Sequence, residues 1–269
     1  MSYTPFLIET LKQVSQIANQ NFGKVTGTSK GSDNNQVLTA TDLEIGQAII
    51  KRITAEYPEA NIIDEEAGVI DKGSQLTWVV DPIDGTSNFA NGVPTYGIMI
   101  GLLDGEVPVA GGVSLPFFDQ IYTAEKGKGT FCNGQKVQIT GETSLLKTLV
   151  AYGIDGHQDN PTQSVEECRV LAEIVLACRN LRSSNSVFDV AMLLKGSYGA
   201  LANRSSKIWD NIAQQVLIEE AGGIYTNFDG TSTNYKNPLQ RSQENFTHCA
   251  AAPALHTQMQ AAIHKVKKS

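Results

Sequence analysis

Acidic side chains at the ends of apolar runs dominate the chemistry this sequence can offer. Asp64-Glu65-Glu66 follows Asn61-Ile62-Ile63, and Asp81 and Asp84 follow Leu76-Thr77-Trp78-Val79-Val80, bracketing Pro82-Ile83. Four or five carboxylates gathered near one strand edge repel one another and raise each other's pKa unless hard cations neutralise them. Oxygen ligands without His or Cys favour Mg²⁺ or Mn²⁺ over zinc. Within Asp81-Pro82-Ile83-Asp84-Gly85-Thr86, Pro82 fixes one φ angle and Gly85 lets the backbone approach an anion closely. The amides of Gly85 and Thr86 could hold a phosphate beside the metals if a helix starts there.

These residues need strands and helices to position them. Leu7, Leu11, Val14, Ile17 and Ala18 fall at helical spacing, predicting an amphipathic helix that ends before Gly23. The polar stretch 26–35, rich in Gly, Ser, Asp and Asn, reads as a mobile loop. Thr41-x-x-Glu44 has the form of a capping box opening a second helix, with Ile45, Ile49 and Ile53 on its apolar face and Pro58 beyond its end; Asp42 then sits in a first turn. Gly46 on that face could let another element pack close. From Asn61 onward short β-rich runs take over, with Asp104-Gly105 joining 96–103 to 107–114 as a hairpin and Asn133-Gly134 marking another turn. A meandering, largely antiparallel sheet is expected. Beyond a soft division near residue 145, the second half alternates. It holds a helix from Ser164 (Ser164-x-x-Glu167 as a second box), a helix near 188–194, a strand over 198–203 and a helix over 209–221 stopped by Gly222-Gly223. A strand at Ile224-Tyr225-Thr226 and a terminal helix after Pro253 complete it. The halves 1–145 and 146–269 form one compact unit, the first carrying most of the acidic candidates and the second the last of them.

Bulk properties narrow the function classes. The chain has 269 residues, 41% hydrophobic and 18% charged, enough to bury a large core. A net charge of −7 lacks the clustered Lys and Arg that a nucleic-acid surface needs, and Lys265, Lys267 and Lys268 read as a solvated helix end. Cys132, Cys168, Cys178 and Cys249 lie far apart with no CxxC spacing, which points to a reducing, cytoplasmic setting. No apolar stretch of membrane-spanning length occurs and no leader pattern opens the chain, so no membrane partner is expected. His157, His248, His256 and His264 are scattered and read as surface or core residues.

Taken singly, Asp-Pro-x-Asp-Gly is a surface turn and Glu-Glu a solvated pair. Together with Trp209-Asp210 and Glu220-Ala221-Gly222-Gly223 in the right order they carry more. The chain resembles the inositol monophosphatase family, within the lithium-sensitive, metal-dependent phosphatase superfamily. That pattern, Asp…Glu-Glu…Asp-Pro-[Ile/Leu]-Asp-[Gly/Ser]-Thr…Trp-Asp, appears here as Asp42, Glu65-Glu66, Asp81-Pro82-Ile83-Asp84-Gly85-Thr86 and Trp209-Asp210. The likeness extends to Trp78-Val79-Val80, Asn88-Phe89, Lys126-Gly127-Lys128-Gly129 and Phe131-Cys132-Asn133-Gly134.

The resemblance implies an α/β fold (α+β mixed), a layered αβαβα sandwich of the inositol monophosphatase/fructose-1,6-bisphosphatase type, a homodimer, and a Mg²⁺-dependent, lithium-sensitive phosphoric monoester hydrolase. It implies two to three Mg²⁺ ions per subunit, with Mn²⁺ a possible substitute. Glu65, Asp81 and the Ile83 carbonyl would hold one; Asp81, Asp84 and Asp210 a second; Glu65 with waters a third. Thr86 and Asp42 would orient and deprotonate the attacking water, with Glu66 assisting. Lys30 matches a lysine carried in a mobile loop over the site, one residue further from Asp42 than the family pattern. Bound cations lower the pKa of water and stabilise both the entering and leaving oxygens, so no covalent intermediate is required.

Asp84, Gly85, Thr86, Ser186, Asn203 and Asp210 are the expected substrate contacts. The family's sugar-binding glutamate, six residues before the tryptophan, is Asn203 here, and its Gly-Ser/Thr platform is Asn185-Ser186. An amide in place of a carboxylate changes charge and hydrogen-bond capacity, so selectivity can be redirected. Ile212 ahead of Ala213 suggests local repacking beside Asp210. Inositol 1-phosphate is the leading small phosphorylated substrate. Histidinol phosphate, fructose 1,6-bisphosphate and 3′-phosphoadenosine nucleotides are the same-class competitors, and a regulatory or binding protein with a vestigial site is the different-class alternative.

Overall fold

The computed structural model describes residues 2–30 and 33–266. In chain order the elements are α1 (Thr4–Asn21), β1 (Thr28–Lys30), β2 (Asp33–Leu38), α2 (Ala40–Glu56), β3 (Asn61–Asp64), β4 (Gly68–Ile70), β5 (Leu76–Asp84), α3 (Thr86–Ala90), β6 (Gly97–Asp104), β7 (Val107–Leu115), β8 (Gln120–Glu125), β9 (Gly129–Cys132) and β10 (Gln135–Val137). There follow β11 (Leu149–Gly153), α4 (Pro161–Ala177), β12 (Asn180–Arg182), α5 (Phe188–Leu194), β13 (Tyr198–Ser206), α6 (Ile208–Glu220), β14 (Ile224–Thr226), β15 (Phe246–Ala251) and α7 (Pro253–Lys265).

Two sheets carry the site. The first runs β10-β9-β8-β7-β6-β5-β3-β4, an antiparallel meander as far as β5; β3 then pairs parallel to β5. The second runs β12-β11-β13-β15-β14, with β11 parallel to both neighbours. Parallel pairing places carboxyl ends side by side: Asp64 lies opposite Val80, and Gly153 opposite Asn203. Ligand crevices form outside such ends.

Five layers result, αβαβα, as the resemblance implies. Leu7, Leu11 and Val14 of α1 and Ile45, Ile49 and Ile53 of α2 pack on Trp78, Val80, Ile98, Ile100 and Leu102 from one face of the first sheet. Each fully buried side chain of this kind contributes roughly 1.5–3 kcal/mol. The opposite face meets α5 and α6, which also touch Leu201 and Ala250 of the second sheet. Val170 and Ile174 of α4 with Leu255 and Met259 of α7 cover that sheet's far side. Helix α6 lies unusually close to the first sheet. A Cβ at Gly101 would come within 2.7 Å of Ile212 Cγ2, and one at Gly111 within 2.6 Å of the Ala213 carbonyl oxygen. Two glycines on adjacent strands therefore make the bed for the helix that begins beside Asp210. The bulk of Ile212 is absorbed there.

Three local expectations are corrected. Thr39, not Thr41, caps α2: its Oγ1 accepts from the Thr41 amide at 3.2 Å, and the Asp42 carboxylate completes the box by accepting from the Thr39 amide at 2.8 Å. Helix α4 starts at Pro161, whose preset φ suits a first helical position, leaving Ser164 inside the helix. The polar stretch 26–35 is not a loop throughout. Thr28 and Ser29 pair with Leu38 and Val37 in a hairpin, because those two apolar residues just beyond the stretch supply a strand for it to fold onto. Gly31 and Ser32 lie outside the described residues, as do Lys267 and Lys268; Lys265 pairs with Glu173 at 3.2 Å. Gly46 does permit close packing, since a Cβ there would sit 3.1 Å from Asp64 Oδ2 and 3.2 Å from Pro82 Cγ. No helix among the described residues is long and apolar enough to cross a membrane.

Candidate active site

The end of β5 and the first turn of α6 converge. Carboxylate oxygens of Asp81, Asp84 and Asp210 lie within 4.8 Å of one another. Backbone amides hold two of them in place. Val187 N–H donates to Asp84 Oδ2, and Lys207 N–H donates to Asp210 Oδ2 at 2.5 Å. Asp81 Oδ1 is buried with no hydrogen-bond partner among the described residues. Such an orphaned acceptor costs free energy unless a donor or cation meets it.

Electrostatics report the same crowding. Burial, then the charges of Glu65, Asp84 and Asp210, push the Asp81 carboxyl well above the ordinary carboxylate range. Burial and the Asp210 charge do the same to Asp84. Burial lifts Asp210 to about 6 and Glu65 to about 7; in Glu65 the Lys30 ammonium opposes the rise. An oxygen-only set of acids that resist ionisation side by side fits a hard divalent cation.

Thr86 sits one turn from these acids, at the start of α3, with Gly85 as its N-cap at φ 83°. Gly85 is required there twice over. The angle is left-handed, and a Cβ would lie 2.8 Å from Ser186 Cβ and 3.2 Å from the Thr95 carbonyl oxygen. The Thr86 hydroxyl lies 2.8 Å from the Ile83 carbonyl and 3.1 Å from Asp42 Oδ1. Asp42 is buried, and its carboxyl is raised by that burial despite its bonds to Thr39. On the other side Lys30 reaches from the hairpin to Glu65, at 2.8 Å, and to Glu66. Burial lowers its pKa, but the two carboxylates outweigh that and raise it.

The expected residues fall into two groups. Glu65, Asp81, Ile83, Asp84, Gly85, Thr86, Ser186, Asn203 and Asp210 line one cavity of about 550 Å³. Asp42, Glu66 and Lys30 stand behind it, reaching it through Thr86 and Glu65. Ser186 spends its hydroxyl on the Thr95 carbonyl at 2.8 Å. Asn185 takes φ 49°, a left-handed angle that asparagine tolerates in place of glycine, and bridges to Ile154 and Asp155. Asn203 accepts from the Ser205 amide at 2.8 Å.

Sequence reasoning missed part of the cavity wall. Asp155, His157, Gln214 and His248 also line it. His157 is held by Glu167 at 3.0 Å, and His248 lies across the sheet from Asn203. The placement of His248 has no local signal, because it depends on pairing between strands far apart in sequence, whereas His157 is held by residues of the following helix.

Residues 2–268 match the protein-family description "Inositol monophosphatase family". The chain belongs to that family. Its members are phosphoric monoester hydrolases that use divalent metals, and the acidic cluster provides for such ions. A fructose-1,6-bisphosphatase/inositol-1-monophosphatase of Aquifex aeolicus is 30% identical over 217 residues, 78% of this chain and 80% of that protein. Inositol monophosphatase 1 of Bos taurus is 28% identical over 235 residues, 86% of this chain and 84% of its own. The crystal structure of an extragenic suppressor protein suhB from Bartonella henselae superposes with a TM-score of 0.85 at 22% identity, covering 98% of this chain and 99% of that one, which supports the fold.

Proposed function

We propose that this family phosphatase hydrolyses the phosphomonoester of a small polyol, with inositol 1-phosphate the first candidate, by direct attack of water in the presence of two to three Mg²⁺ ions. The observation that carries the reading is the convergence of Asp81, Asp84 and Asp210 within 4.8 Å beside the Thr86–Asp42 pair. Glu65, Asp81, the Ile83 carbonyl, Asp84 and Asp210 would hold the ions. When bound, Mg²⁺ supplies charge for the phosphoryl oxygens and an acidified water.

The chain's own groups do the rest. The Thr86 hydroxyl can pass its proton to Asp42 while taking one from the attacking water, and the raised Asp42 carboxyl is suited to accept it. Thr39 fixes the Asp42 carboxylate from behind through its amide and hydroxyl. Lys30 binds Glu65 and Glu66 and orients both. Gly85 and Ser186 pack against each other in the cavity wall. The same reading includes a homodimer in the cytoplasm, and the four free cysteines suit a reducing compartment.

A phosphate-release screen tests the reading with inositol 1-phosphate, histidinol phosphate, fructose 1,6-bisphosphate and 3′-phosphoadenosine nucleotides, each with Mg²⁺, with chelator and with added Li⁺. Inositol 1-phosphate should give the highest kcat/KM, with activity lost in chelator and reduced by Li⁺. Release from none of these esters with Mg²⁺ present would sink the enzyme reading.

A further inference from the structure

The mechanism leaves several buried, cavity-lining groups unused, His248 among them. His248 lies on β15 opposite Asn203, 7% exposed, with its ring stacked on Tyr225 at a centroid distance of 5.9 Å. Its Nδ1 is 3.1 Å from Gln214 Nε2. The same amide nitrogen donates to the Tyr225 hydroxyl at 2.9 Å, and Tyr225 donates to Asn211 Oδ1 at 2.6 Å. Asn211 in turn donates to Ser206 Oγ at 2.9 Å, and Ser206 to the Phe246 carbonyl at 2.8 Å.

Every proton in that chain has a fixed direction. Asn211 Oδ1 can only accept, so the Tyr225 proton goes to it, and the Tyr225 oxygen accepts from Gln214. An amide nitrogen has no acceptor capacity, so its second N–H points at a bare Nδ1. The imidazole proton must then sit on Nε2. Burial keeps the ring neutral, lowering its pKa to about 4. Four side chains thus impose one tautomer on a ring in the cavity wall, and the nitrogen carrying the proton is the one the network does not use.

We propose that His248 is a specificity-determining residue whose Nε2–H donates to an oxygen of the alcohol portion of the phosphoester, selecting hydroxylated leaving groups over plain aryl ones. This deepens the polyol-phosphate reading above and rests on it. Asn203 sits beside His248 with Oδ1 committed to Ser205. Its amide nitrogen lies where a Cβ on Gly153 would come within 2.5 Å. Beside the Asp155 carboxylate, this part of the wall carries two neutral N–H donors, on His248 and Asn203, which pair with hydroxyl oxygens.

The test compares kcat/KM for inositol 1-phosphate with that for phenyl phosphate in the wild type, His248→Phe and His248→Gln, with Mg²⁺ throughout. Phenylalanine keeps a ring on Tyr225 without a donor, whereas glutamine can restore an N–H at the ε position. The polyol-to-aryl ratio should fall roughly tenfold in His248→Phe, through KM for the polyol, and stay within about threefold in His248→Gln. Long-range ¹H–¹⁵N spectra of the wild type should show His248 as the neutral Nε2–H tautomer from pH 8 to pH 5, and this measurement decides the matter even where a variant fails to fold. An unchanged ratio in His248→Phe, or a proton on Nδ1, overturns the inference. Failure of the wild type to release phosphate from either ester removes the underlying reading and this one with it.

Discussion

Asp84→Asn separates what the carboxylate cluster costs from what it accomplishes. Two ionised carboxylates 4.8 Å apart repel by about 3.5 kcal/mol at an effective dielectric constant near 20. Asp84 faces two such partners, Asp81 and Asp210. The protein limits the cost by keeping a proton, and holding an ordinary carboxyl protonated at pH 7 costs at most about 4 kcal/mol. The amide is nearly isosteric and can still accept from the Val187 amide, so the substitution removes repulsion with little disturbance of packing. With chelator at pH 7 the variant should therefore be more stable than the wild type by about 2–4 kcal/mol, a rise in Tm on the order of 5–10 °C. The sign with pH follows from the raised folded-state pKa values of Asp81 and Asp84. The wild type is penalised above the unfolded-state carboxylate pKa, and the penalty vanishes as pH falls toward about 4. The two proteins should thus converge in acid. Turnover moves the opposite way, falling by several orders of magnitude even at saturating Mg²⁺. Thermal melts in chelator across pH 4–8, beside phosphate release, check both limbs. A variant less stable than the wild type in chelator would refute the electrostatic account, and unchanged turnover would remove Asp84 from the site.

Thr86→Ala should lower kcat by about 10²–10⁴-fold, the range of a positioned proton-transfer group, with a small change in Tm, as read by steady-state kinetics and calorimetry. Gly101→Ala should destabilise by roughly 1–3 kcal/mol, because its methyl meets Ile212 and the Ala213 amide at under 3 Å; adding Ile212→Ala should recover part of the loss in urea melts. His248, neutral when buried with its pKa lowered to about 4, protonates more readily in the unfolded chain. Its contribution is fully present above the unfolded-state value near 6.5 and is lost as pH falls toward 4, about 2 kcal/mol by pH 5; His248→Gln should show a shallower loss between pH 8 and pH 5.

Much of this fold was legible because its signals are local. Helical spacing of Leu7, Leu11 and Val14 and of Ile45, Ile49 and Ile53 reported buried faces directly, and Asp104-Gly105 and Asn133-Gly134 marked turns that the backbone makes. The capping boxes misled because Thr and Ser recur near helix starts, and the choice among them rests on backbone conformation: Thr39 is extended and accepts from the Thr41 amide, while Thr41 is already inside the helix. The hairpin at 28–38 was hidden because its stabilising partners, Val37 and Leu38, lie outside the polar segment itself. In the site, the acids of the first sheet were readable from their position after apolar strands. The alcohol end was not: Asn203, Gly153 and His248 come together through the order β11-β13-β15, which no local pattern encodes.

The glycine bed beneath α6 has a consequence for assembly. Asp81 and Asp84 belong to the first sheet, whereas Asp210 arrives on a helix that must settle onto Gly101 and Gly111 while also touching the second sheet. A cation gripped by all three can bind only chains in which that docking is complete. On the proposed ligand set, metal concentration would act as a thermodynamic rivet between the two sheets, adding RT ln(1 + [M]/Kd) to their union and nothing to either one alone. Chelation should loosen the seam before it melts the layers, and a bulky residue at Gly101 should weaken metal affinity from beneath the helix without touching a single ligand.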